Sequence, residues 1–237
     1  MQKVLYRRNY TVPQRFAHPR PWLILPGCHI AYMPDRDRKR TYDFSGHGNH
    51  GEYHNVSWKS YGRFGPARYF DGFQSFSYID IGVQHFDYVS ISVWVRPTEK
   101  VYLNDRGIVG NNDAVDMDFQ MFVVGDANTL RVRVDTSSTY TIADIEAFTD
   151  AKRWHHFVFT YDGAVIRIYR NGKIKISKPH AEGGPMRNTG NKMYVGVVGS
   201  GYIDLSFHGE IDEIQVYNRA LTDDEVKLLY DIGKVRY

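Results

Sequence analysis

This sequence predicts an all-β fold: a two-sheet antiparallel jelly-roll sandwich with an extended N-terminal arm and a short C-terminal helix. Three observations carry that reading. Val89, Ile91, Val93 and Val95 alternate with Ser90, Ser92, Trp94 and Arg96, and Leu130, Val132 and Val134 alternate with Arg131, Arg133 and Asp135; a period of two marks strands with one buried face. Strand-like runs recur at roughly 8 to 14 residue spacing without long helical insertions, which makes two packed sheets the economical architecture. Finally, the strand Phe207 to Tyr217, entered at Gly209, stops at Asn218-Arg219, and the pattern changes to a helical one.

Taken in order, the chain begins with residues 1–28, a stretch holding Pro13, Pro19, Pro21 and Pro26 among aromatic and arginine residues. Proline at that density disfavours helix and central strand alike, so the arm reads as extended with polyproline-like sections. Residues 29–237 form the domain. His29 to Met33 reads as its first strand and Asp35 to Arg40 as a solvated loop of mixed charge. In the following loop, DFSGHGNHG, Gly46, Gly48 and Gly51 match the G-x-G-x-x-G spacing, but the dinucleotide reading needs a following helix, and Glu52 to Gly62 has no helical period. His47, His50 and His54 raise zinc, which the absence of any nearby cysteine disfavours.

Asp118 to Val124 and Trp154 to Tyr161 are apolar on both faces, as strands inside a sandwich are. His155 and His156 are adjacent in the second of these, so they point to opposite faces and cannot chelate one ion together. Asn171-Gly172, between Val165–Arg170 and Lys173–Ser177, is the strongest hairpin signal in the chain. Asn104 to Met117 and Pro179 to Asn191 read as the longest polar connections, where recognition is most easily grafted. At the end, Thr222 and Glu225 form a capping box, Val226, Leu229 and Tyr230 follow at helical spacing, and Gly233 reads as the terminator of about two turns.

At 237 residues the chain is long enough for a substantial core, and its 15% aromatic content suits sheets that bury rings against each other. The early apolar run Trp22 to Leu25 is too short for a membrane span or a signal-peptide core, so membrane insertion and classical export are not expected. A single cysteine, Cys28, excludes an internal disulfide. These features predict cytoplasmic synthesis without a classical signal peptide, followed by residence on a virion or extracellular particle surface. The net charge of +3 is uneven: residues 1–34 carry +5 and no acid, while the remaining 25 basic and 27 acidic residues leave −2. The basic character therefore belongs to the arm, and without a folded basic face nucleic acid is an unlikely partner.

Five motifs occur in a telling order: DFSGHGNHG, GRFGPARYFDG, SISVWVRP, WHHFVFTYD and IYRNG, closed by F-x-G-x-I-D-E-I-x-V-Y-N-R-A-L and the capped acidic helix. Together they resemble the laminin-G-like jelly rolls of the concanavalin A-like lectin/glucanase superfamily over roughly residues 29 to 232. The resemblance implies the sandwich fold; it is less specific for function, because one fold hosts many functions.

The same superfamily includes β-glucanases, whose acidic strand places carboxyls at i, i+2 and i+4. Retaining hydrolysis needs two of them about 5 to 5.5 Å apart. Glu210 and Asp212 match the first two positions, but Ile214 occupies the third, so the expectation is no enzyme, with a divergent glycoside hydrolase as an alternative. The resemblance also implies a structural calcium ion, held in several laminin-G-like domains by residues matching Asp43, Asn49 and Asp212, with carbonyl oxygens completing the shell. For glycan recognition the candidates are Asn111, Asn112, Asp113 and Tyr140, since sugar sites combine aromatic faces with amide and carboxylate groups.

For assembly, Arg7, Arg8, Arg15 and Arg20 would meet acidic surface on a neighbouring subunit, with Tyr6, Phe16 and Trp22 among the anchors. Two roles follow. One is a structural or display subunit of a larger assembly, a virion decoration or adhesion protein, docked on other protein subunits through its arm and able to bind a glycan or surface receptor. The other is a stand-alone carbohydrate-binding lectin-like module.

Overall fold

A computed structural model describes residues 23–33, 37, 39–59, 66–72, 76–100, 102–112, 116–125, 127–197 and 205–234. The candidate arm residues Tyr6, Arg7, Arg8, Arg15, Phe16, Arg20 and Trp22, and the candidate glycan residue Asp113, lie outside the described residues.

The strands are β1 (Cys28–Tyr32), β2 (Arg40–Thr41), β3 (Gly51–His54), β4 (Ser57–Lys59), β5 (Ala67–Asp71), β6 (Tyr78–Val83), β7 (Val89–Pro97) and β8 (Arg106–Asn112). They continue as β9 (Met117–Val124), β10 (Thr129–Asp135), β11 (Tyr140–Glu146), β12 (His155–Tyr161), β13 (Val165–Arg170), β14 (Lys173–Pro179), β15 (Lys192–Val195) and β16 (His208–Tyr217); one helix, α1 (Asp223–Lys234), follows. Every pairing is antiparallel. Sheet A runs β14-β13-β12-β7-β16-β5-β4, with β1 also on β16, and sheet B runs β11-β10-β9-β8-β15-β6-β3-β2. The predicted two-sheet jelly roll is the observed architecture.

Period two decides which face of each sheet is interior. Ile91, Val93 and Val95 of β7, Phe157 and Phe159 of β12, and Ile211, Ile214 and Val216 of β16 meet Phe119, Met121, Leu130, Val132 and Val134 from sheet B in one core. The two histidines of β12 diverge as predicted: His155 packs on Phe148 at 5.3 Å, while His156 stacks on Trp94 at 4.9 Å on the other side. Asn171 and Gly172 both take positive φ, 53° and 72°, and close the β13–β14 hairpin.

Sheet A carries a second apolar layer on its outer face. Cys28, Ala31, Met33, Val158, Tyr169 and Tyr217 are covered there by Leu221, Val226 and Leu229, with Leu23, Ile24 and Leu25 packed against them. Gln215 Nε2 donates to the Leu23 carbonyl at 3.1 Å, and Arg219 donates to Pro26 O at 2.8 Å. Contact with the domain thus begins by Leu23, ahead of the strand that sequence alone placed at His29.

Three details differ from the sequence reading. The stretch expected as a polar loop from Asn104 contains β8, because Ile108 and Val109 are fully buried in the core and outweigh the flanking Gly, Asn and Asp residues. Helix α1 has 12 residues, and Gly233 lies inside it instead of ending it. In β16 the register shifts between Asp212 and Gln215, with Glu213 at φ 46°, so the run I-D-E-I is a bulge and not a uniform strand.

Candidate functional site

The bulge in β16 has a structural cause. β7 pairs with β16 from Gly209 to Tyr217; along the other edge β5 takes His208 to Ile211 and β1 takes Ile214 to Tyr217. The edge changes partner at Asp212–Glu213, and Arg68 of β5 fills that junction. Its Nε donates to Tyr53 Oη at 2.9 Å, its Nη2 to Met33 O at 2.8 Å and Thr41 Oγ1 at 2.6 Å, and its Nη1 stands 3.4 Å from Asp212 Oδ1. Both partners of the pair are fully buried. Nothing in a one-dimensional reading of A-R-Y-F-D distinguished this arginine, although an arginine in an otherwise apolar strand is the signal that could have found it.

Glu210, two residues earlier, is held as tightly. Arg96 of β7 grips it with Nε and Nη2, and the Arg96 guanidinium also lies 5.4 Å from the centre of the Trp154 ring. Each carboxylate of the glucanase-like strand therefore has its own arginine. A glycosidase needs one carboxyl free to donate a proton and another free to attack, and here each carboxyl is engaged by a guanidinium.

The calcium candidates are likewise engaged. Asp43 accepts the backbone amides of Ala31 and Ser45 on Oδ1, each at 2.9 Å, and that of Asn49 on Oδ2 at 3.0 Å; Ser45 Oγ lies 2.8 Å from Oδ2. Asn49 Nδ2 donates to His29 O at 3.0 Å. Asp43 thus organises its own glycine loop as an Asx-type turn, whereas Asp212 belongs to the Arg68 network, where a guanidinium repels a second cation. Among the described residues no group of three or more His, Cys, Asp or Glu assembles as a cation cage.

Of the glycan candidates, Asn111 is 1% exposed, accepts the amides of Asp118 and Phe119 at 3.2 and 3.0 Å, and donates to Asp118. It pins the β8–β9 bulge and is not available to a ligand. Asp118 is held above the ordinary carboxylate range by burial. Asn112 ends β8. Tyr140 is 53% exposed, with the Arg133 guanidinium 4.0 Å from its ring centre.

Tyr140 belongs to a larger surface. Helix α1 and residues 23–25 cover part of the outer face of sheet A, but the outer face of sheet B carries a continuous row of side chains. Register places Ile142, Arg133, Gln120, Gly110, Tyr194, Asp80 and Glu52 side by side across seven strands. Gly110 is the low point of the row: a Cβ there would lie 3.1 Å from Phe119 O and 3.3 Å from Gln120 Cα. At one end Tyr78 stacks on His54 with ring centres 4.3 Å apart, while Tyr194 meets it edge-on at 5.6 Å and Phe76 tilts against it at 4.9 Å. The alternation Tyr78-Ile79-Asp80-Ile81 was readable as a strand, but the meeting of His54, Tyr78 and Tyr194 depends on β6 lying between β3 and β15.

A two-sheet jelly roll with a capped C-terminal helix seated on one sheet, its strand acids locked by arginines, defines a lectin-like class of domain. The laminin-G family model described as "Concanavalin A-like lectin/glucanases superfamily" matches residues 73–227, and the chain belongs to that family. A search of curated protein sequences finds no match.

Among solved structures, domain 4 of AbnA, a GH43 extracellular arabinanase from Geobacillus stearothermophilus solved with arabinotriose, superposes with a TM-score of 0.67 at 21% identity, covering 86% of this chain and 98% of that one. The binding domain of botulinum neurotoxin serotype G gives 0.68 at 20% identity over 86% of this chain and 50% of that chain. The binding domain of Paraclostridial Mosquitocidal Protein 1 gives 0.67 at 19% identity, covering 87% and 52%. The chain spans about half the length of these two binding domains. At these identities the likeness is one of fold.

Proposed function

We propose that this protein is a non-catalytic recognition module that binds a glycan or surface receptor through the outer face of sheet B, and that it is a display subunit of a particle or surface assembly anchored by its N-terminal arm. The observation that carries the reading is the division of labour between the two sheets. Residues 23–25 pack on the outer face of sheet A beside α1, so the arm joins the domain on the side opposite the row from Ile142 to Glu52. A module docked through the arm would leave that row facing outward. The arginine locks on Glu210 and Asp212 support a role without hydrolysis, and the arabinotriose complex of the AbnA domain is consistent with sugar binding on this fold.

Light scattering of the full chain beside a form starting at Leu23 tests the anchoring half. Self-association of the full chain, with the shorter form a clean monomer, is the expected result; two monodisperse monomers would return the arm to its own domain. A glycan array probed with the full chain and with Gln120→Arg tests the other half, since a long charged side chain beside the notch at Gly110 should abolish binding if this face is used. Retained binding would move the site elsewhere.

A further inference from the structure

We infer that the ring cluster of Phe76, Tyr78, His54 and Tyr194 is the primary subsite of this face, and that its ligand is an uncharged sugar residue. The inference rests on the reading of sheet B as the binding face, and it names a place on that face and a ligand chemistry that the row alone does not.

Three independent features point to it. The first is rigidity. Tyr78 is the hub of the cluster, touched by His54, Phe76 and Tyr194 on different sides, and His54, Phe76 and Tyr78 are all half-buried, so the rings are fixed yet reachable. Fixed aromatic surface binds the C–H faces of a sugar with little conformational entropy to lose. The second is backbone strain. Phe76 has φ 49°, a left-handed conformation that bulky side chains rarely adopt. It is not a member of the hydrophobic core, so its ring is held in this position without a matching gain in core packing.

The third feature is the balance of charge, which selects the ligand. Lys192 beside the cluster is paired with Asp80 at 2.7 Å, Arg133 with Asp135 at 2.7 Å, and Arg131 with Asp144 at 2.8 Å. Each of these three cations has a carboxylate of its own, and at the β2 end of the row the exposed Arg40 faces the exposed Glu52 in register, its guanidinium 5.4 Å from the Tyr42 ring centre. A sialylated or sulfated glycan at the rings would meet Lys192 already paired with Asp80, and Arg40 facing Glu52 across the β2–β3 pair, whereas sugar hydroxyls can bond such paired groups without needing a free charge. Between the rings and Arg133 stands Gln120, which is 7% exposed and makes no side-chain hydrogen bond among the described residues. Across the notch at Gly110 its amide is positioned to serve a hydroxyl as both donor and acceptor.

The test is ligand-observed NMR titration of the full chain with arabinotriose, maltotriose and cellotriose, beside sialyllactose and a sulfated chondroitin fragment as charged comparators. Phe76→Gly and His54→Ala probe the subsite, and Tyr140→Ala probes the far end of the same face. Glycine accepts the φ of residue 76 freely, so Phe76→Gly should melt no lower than the parent, and any loss of binding then reports on the ring. The expected result is binding of at least one neutral trisaccharide, weakened roughly tenfold or more by Phe76→Gly and by His54→Ala but not by Tyr140→Ala. Binding weakened only by Tyr140→Ala would leave the face in place and overturn the subsite. Binding confined to the charged glycans would overturn the ligand class. Failure of every oligosaccharide to bind would overturn both this subsite and glycan recognition by the face.

Discussion

Gly233 of α1 lies so close to Trp94 of β7 that a Cβ there would fall 2.4 Å from the indole Cζ2. The indole has little room to yield, because it is 3% exposed and closes a three-ring cluster with His156 at 4.9 Å and Tyr230 at 5.8 Å, which meet each other at 6.0 Å. A residue that reads as a helix terminator is therefore the contact point at which the helix docks on sheet A.

Gly233→Ala tests this. Alanine gains about 1 kcal/mol of helix propensity, but overpacking a closed contact costs about 1–3 kcal/mol. The clash should win, giving a lower melting temperature and a changed near-ultraviolet circular dichroism signal from Trp94. A rise in melting temperature would mean that the helix is not seated on the indole.

The Arg68–Asp212 pair should behave as a buried ion pair does. Arg68→Met strands a buried carboxylate and should lose about 3–5 kcal/mol in urea unfolding. The double variant Arg68→Met, Asp212→Leu removes the stranded charge and should recover much of that loss. Additive losses in the double variant would show that Arg68 acts through Tyr53, Met33 and Thr41 and not through Asp212.

Acid should weaken the fold through His155. Burial in the core holds its pKa below the ordinary 6.5, outweighing the bond from its Nε2 to the Asp150 carbonyl at 2.9 Å, which favours the charged ring. A base with a depressed folded pKa contributes stability that is fully present above the unfolded value and is lost as pH falls from there through the folded value. Unfolding free energy should decline as pH falls below the unfolded value of about 6.5, and His155→Gln should flatten that slope. His29, also held below its ordinary value by burial first and by His47 second, adds in the same direction, so the slope is reduced and not abolished. An unchanged slope in His155→Gln would remove His155 from the account.

Calcium should do little. Asp43 is saturated by backbone amides and Asp212 sits beside Arg68, so neither adding calcium nor adding a chelator should shift the melting temperature. A calcium-dependent rise would show that the glycine loop rearranges to give up its amide bonds.

Much of the fold was legible because its signals are local. The capping box needs only residues within one turn, and it forms as read: Thr222 N donates to Glu225 Oε2 at 2.9 Å and Glu225 N to Thr222 Oγ1 at 3.3 Å, while Arg219 beside it holds the Glu225 carboxyl below its usual range. The Asn171-Gly172 hairpin and the alternating strands β7 and β10 depend likewise on neighbours in sequence. β8 was missed because its burial comes from strands that reach it only through folding. The candidate site was less legible still: of the four glycan residues proposed from loop composition, Asn111 is an internal clamp, and the aromatic cluster emerged at positions the composition did not single out.

The sequence by itself determined the class of fold, the placement of its hairpin and final helix, and the departure of the acidic strand from the glucanase pattern at Ile214. Those follow from period, turn chemistry and caps, which act over a few residues. Only the tertiary structure decided that Glu210 belongs to Arg96, that Asp212 belongs to Arg68 across 144 residues of chain, and that rings from β3, β6 and β15 share one surface. Those outcomes depend on which strand lies beside which, and strand order is set by packing the whole core at once.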